Sequence, residues 1–109
     1  MRHVLLRVRA RTEPEDLDVD EVRRRLAQAT SWRCEVDDTR LSDAPFVSVI
    51  AGTDVIDDAS TETLRAALAD LERMRVTVWS GSGQESPLES ATAEALGAAS
   101  RAFERVRST

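Results

Sequence analysis

The stretch HVLLRVRAR, residues 3–11, decides the fold. Val4, Leu6, Val8 and Ala10 fall on one set of alternate positions, and His3, Leu5, Arg7, Arg9 and Arg11 fall on the other. A period of two belongs to a β-strand with one face on a core, so a strand is predicted here. The second face is not simply polar, because Leu5 stands among the arginines.

The segments downstream follow the same logic. Residues 13–16 are acidic, contain Pro14 and read as a connection. Asp18 then caps a helix, with Glu21 placed to complete a capping box and Val19, Val22, Leu26 and Ala29 on one stripe. Arg23, Arg24 and Arg25 complement the helix dipole and read as a solvated face. Residues 32–37 alternate again, with Trp32, Cys34 and Val36 opposing Arg33, Glu35 and Asp37. Cys34 is read as a small core residue, since no base neighbours it.

Residues 38–45 read as a polar loop. A third strand is predicted over 46–51, with Val47 and Val49 on one face and Phe46 and Ile50 on the other. Ser60 is expected to open a second helix carrying Leu64, Ala67, Leu68, Leu71 and Met74. A fourth strand over 75–80 puts Val76 and Val78 inward and Arg75, Thr77 and Trp79 outward. Ser86, Pro87 and Glu89 have the pattern of a helix start. A third helix is therefore expected from there to about Val106, with Leu88, Ala91, Ala95, Leu96, Ala99 and Phe103 on its apolar stripe.

This order, β-α-β-β-α-β with an additional C-terminal helix, predicts an α+β fold of the ferredoxin-like sandwich type. The structural alternative is a three-layer α/β arrangement with a partly parallel sheet. In the ferredoxin-like order the first strand lies between the third and fourth. Leu5, Phe46, Ile50 and Trp79 then gather on the face away from the first two helices, ringed by Arg7, Arg9, Arg11, Arg33 and Arg75. The C-terminal helix has three possible places: over this face, at a sheet edge, or against a second subunit.

Composition limits the function. The chain has 109 residues, 41% hydrophobic and 32% charged, which suits one globular domain over residues 1–109. No apolar run approaches the ~20 residues of a membrane span, and Arg7 and Arg9 interrupt any signal-peptide core, so a cytoplasmic protein without membrane association is expected. All fifteen basic residues are Arg, and Lys, Asn and Tyr are absent. That usage follows GC-rich codons, points to a high-GC bacterial gene, and is not evidence of selection for guanidinium chemistry.

Site chemistry is sparse. One Cys and one His allow neither an internal disulfide nor a Cys/His zinc site, and no metal or cofactor is expected. Asp54, Asp57 and Asp58 fit no calcium-loop spacing and are read as helix-capping and solubilising groups. Gly81-Ser82-Gly83 lacks a phosphate-loop motif and reads as a turn. Net charge −5 and the absence of paired outward aromatics argue against nucleic-acid binding.

The sequence therefore predicts a small non-catalytic interaction or accessory protein. It would associate with itself, or dock on a larger effector, through Leu5, Arg7, Arg9, Phe46, Ile50 and Trp79 together with the C-terminal helix. The alternative is a cofactor-independent enzyme for a hydrophobic metabolite, with His3, Trp32, Cys34 or Trp79 lining a pocket.

Overall fold

The computed structural model describes residues 1–37, 46–81 and 83–108; the expected polar loop of residues 38–45 lies outside them. The strands are β1 (Arg2–Ala10), β2 (Arg33–Asp37), β3 (Phe46–Thr53), β4 (Met74–Gly81) and β5 (Gln84–Pro87). The helices are α1 (Val19–Ala29), α2 (Asp58–Ala67) and α3 (Ala93–Arg107), with short 3-10 turns at Pro14–Asp16 and Leu88–Ser90. The fold is α+β. Its sheet has five strands in the order β2-β3-β1-β4-β5, and every pairing is antiparallel, which removes the partly parallel alternative.

The alternation in β1 has its expected result. Val4, Leu6 and Val8 are fully buried, joined by Val49 and Ala51 of β3 and by Val76 and Val78 of β4. Val22 and Leu26 of α1 and Leu64 of α2 cover them in one continuous cluster. Burying each aliphatic side chain of this size stabilises the fold by ~1.5–3 kcal/mol relative to exposure.

Helix starts follow side-chain chemistry. The Asp18 carboxylate accepts from the Glu21 amide, while the Glu21 side chain pairs forward with Arg25 at 3.2 Å instead of closing a capping box. The capping box lies on α2, where Asp57 and Ser60 satisfy each other's backbone amides. Ser60 is therefore the third helical residue and not the opening one. The helix also ends earlier than the apolar stripe implied: Leu71 is buried in the following turn and Met74 begins β4.

The largest correction concerns residues 84–90. The Ser86-Pro87-Glu89 pattern does not start a helix. Gly81 and Gly83 take φ of +98° and +76°, left-handed values open to glycine, and turn the chain back so that Gln84–Pro87 pairs with β4. Ser86 is spent opposite Val78, Leu88–Ser90 makes a single buried-side turn, and α3 begins only at Ala93. Its cap is Thr92, whose hydroxyl accepts from the Ala95 amide at 3.1 Å.

Helix α3 lies against β1 and β4 and touches α2. Leu96 and Ala99 belong to the same buried cluster as the residues of α1 and α2, so the helix joins the common core. Ala102 of α3 lies beside Gly81 at the end of β4. Among the described residues, no helix is long and apolar enough to cross a membrane.

Candidate interaction surface

Strand register fixes where several of the predicted surface residues stand. Leu5 pairs with Ile50, and Arg9 lies between Phe46 on β3 and Arg75 on β4. Arg7 lies between Ser48 and Thr77. Trp79 follows the inward-facing Val78, pairs with Glu85 of β5 and is half-buried, and the β4–β5 register shifts between it and Gly81. Leu5, Phe46, Ile50 and Trp79 are all half-buried, and none belongs to the central cluster or packs against it. The sheet thus separates two apolar populations, one sealed beneath the helices and one on the outer face.

A polar knot stiffens one half of that face. The Glu85 carboxylate on β5 accepts from Arg9 at 2.7 and 3.0 Å, from Arg7 at 3.0 Å and from the Thr77 hydroxyl. These partners hold Glu85 at a pKa of about 2, below its ordinary 4.5, and the Arg9 hydrogen bond is the largest cause. The Arg7 and Arg9 guanidiniums also lie over the Phe46 ring, 4.6 and 5.0 Å from its centroid. Each such contact contributes ~0.5–1 kcal/mol at partly exposed sites. One carboxylate thus holds two arginines over an aromatic ring.

Glu85 was not visible as a site residue in the sequence, because residues 84–87 read as the approach to a helix. Its signal was the Gly81-x-Gly83 turn, which permits the chain to return as a strand.

The residues considered for an enzyme pocket do not come together. Trp32 is buried in the main core, and its indole N–H donates to the Ser60 carbonyl at 3.0 Å. Cys34 pairs with the inward-facing Ala51 and packs on the same core, where burial pushes its thiol pKa up. Trp79 is half-buried and stands outside the core cluster to which Trp32 and Cys34 belong or against which they pack. His3 Nδ1 is 3.0 Å from Glu104 Oε1 on α3, and that contact holds the Glu104 carboxyl below its ordinary range.

Asp57 is engaged in capping, and hydrogen bonds from Ser60 lower its pKa. Among the described residues, no group of three His, Cys, Asp or Glu side chains is placed to hold a metal ion. The Arg23 and Arg24 side chains are exposed, while Arg25 bonds to Glu21 and the Ala67 carbonyl, in keeping with a helix surface. No protein-family model, curated protein or solved structure matches the chain.

Proposed function

We propose that this chain is a non-catalytic interaction or accessory protein whose outer sheet face takes up a second copy of itself. The proposal includes a finer reading of the fold, in which β1 to β4 with α1 and α2 form a ferredoxin-like unit and β5 and α3 are additions to it. The observation that carries the functional reading is the second apolar population. Leu5 pairs with Ile50, Phe46 lies farther along the same phase of β3, and Leu5, Phe46, Ile50 and Trp79 are half-buried outside the core into which α3 packs. An apolar strip bordered by arginines on a rigid sheet has the composition of an interface.

The order of residues along the face favours a copy of the same chain. Along β1 and β3 this phase runs from His3 and Gly52, through Leu5 and Ile50, to Arg7, Arg9 and Phe46. Twofold stacking about the central apolar row puts the arginine ends of the two copies on opposite sides of the axis. Like charges then do not meet, and the apolar rows cover each other. Arg7 and Arg9 enter this contact already ordered by Glu85 and Phe46, which lowers the entropy lost on association.

Amide NMR spectra collected on dilution test the reading. Concentration-dependent shifts are expected at Leu5, Ile50, Phe46 and Trp79, with Arg24 on the exposed side of α1 unmoved. Spectra independent of concentration, or shifts confined to the helix layer, would overturn it.

A further inference from the structure

We propose that a cleft beside the β4 edge binds the phosphoryl group of a small molecule. β5 ends with Pro87 opposite Thr77, so among the described residues the Met74–Val76 part of β4 continues without a partner on that side. A cavity of about 180 Å³ opens there, lined by Arg11, Arg65 and Arg75 and by Leu68, Met74 and Leu88 among others. Three arginines among the residues lining one small cavity are notable in a chain of net charge −5. The carboxylate among its lining residues is Glu89.

Two of the arginines contact backbone carbonyls, Arg11 the more closely. Arg11 Nε donates to Met74 O at 3.1 Å, and Arg65 Nη1 donates to Ala91 O at 3.5 Å. Each bond uses one of the five N–H donors of a guanidinium and leaves the others available. Arg75 faces Arg9 across the β1–β4 pair, yet Glu85 binds Arg9 and leaves Arg75 without a carboxylate. Among the described residues, Arg11, Arg65 and Arg75 make no ion pair.

The chemistry indicates the ligand class. Guanidinium forks match the oxygens of a phosphate in paired, charge-assisted hydrogen bonds, and a dianion compensates more of the local positive charge than a carboxylate does. Leu68, Met74 and Leu88 of the core form the floor of the cavity and present little surface, so the arginines are its accessible recognition groups. Inorganic phosphate and a small phosphomonoester share the recognised group.

Calorimetric titration of the purified chain with inorganic phosphate, glycerol 3-phosphate and acetate, at matched ionic strength, tests the site. Saturable binding of either phosphate, with acetate weaker, is expected; the tighter of the two identifies the source as free phosphate or phosphomonoester. Arg65→Gln and Arg75→Gln alter exposed side chains and should each weaken binding at least about tenfold, the usual weight of a hydrogen bond to a charged group. Arg24→Gln, on the exposed side of α1, should leave it unchanged. A non-saturating response, equal binding of acetate, or affinity unaffected by the Arg65 and Arg75 substitutions would overturn the assignment.

Discussion

Arg9 and Glu85 meet in a two-pronged hydrogen bond, Nη1 to Oε1 at 2.7 Å and Nη2 to Oε2 at 3.0 Å, which reaches from β1 across β4 to β5. Paired fork geometry is the strong form of an ion pair, and here it ties a four-residue edge strand to the centre of the sheet. Glu85→Gln should lower unfolding free energy by about 1–2 kcal/mol, a fall of several degrees in Tm for a chain of this size. Arg9→Lys keeps the charge but loses the fork, and should recover little of what Arg9 contributes. Thermal melts of both variants check this, with faster amide exchange expected in β5.

Stability should depend on this carboxylate in acid. The Glu85 pKa is about 2 in the folded chain against an ordinary 4.5, so its contribution is complete above pH 4.5 and disappears as pH falls towards 2. Glu104, beside His3, and Asp57, at the start of α2, are shifted in the same direction and add to the same acid limb. Melting temperature should therefore hold near neutrality and decline through that window, less steeply in Glu85→Gln. An acid limb of unchanged steepness in that variant would show that Glu85 does not contribute as described.

The start of α3 gives a test of the local chemistry. Thr92→Ala removes the hydroxyl that caps the Ala95 amide and should cost about 1 kcal/mol. Ser86→Ala, at the position that resembles a cap in sequence, should change stability by less than about 0.5 kcal/mol. Circular-dichroism melts of the two variants distinguish the sites, and the reverse order would place the helix start at Ser86.

The sequence made the inward and outward phases of β1, β3 and β4 legible because an antiparallel strand buries alternate residues, and Val4, Leu6 and Val8 left one choice of face. It also placed Leu5, Phe46, Ile50 and Trp79 on the opposite phase. The β4–β5 hairpin was not legible for a physical reason. Ser86, Pro87 and Glu89 satisfy the local rules for a helix start, and only the positive φ of Gly81 and Gly83 with the ladder to β4 overrides them. Missing that strand hid Glu85, and with it the reason that Arg7 and Arg9 are held over Phe46. The cavity lined by Arg11, Arg65 and Arg75 was equally hidden, since these residues are separated in sequence and come to one cavity only where β5 stops.

The two tryptophans give the most direct test of the outer face. Trp32 is a core residue with its indole N–H bonded to Ser60, so Trp32→Ala should cost ~3–5 kcal/mol of folding stability. Trp79 is half-buried outside the core, and its truncation should spare folding while costing about 2 kcal/mol or more of association. Sedimentation velocity over a range of concentrations, run with a thermal melt on wild type, Trp79→Ala and Trp32→Ala, separates the two effects. The account predicts concentration-dependent association of wild type and a folded, weakly associating Trp79→Ala. A wild type that remains monomeric throughout, or a Trp79→Ala that loses folding stability as Trp32→Ala does, would contradict it.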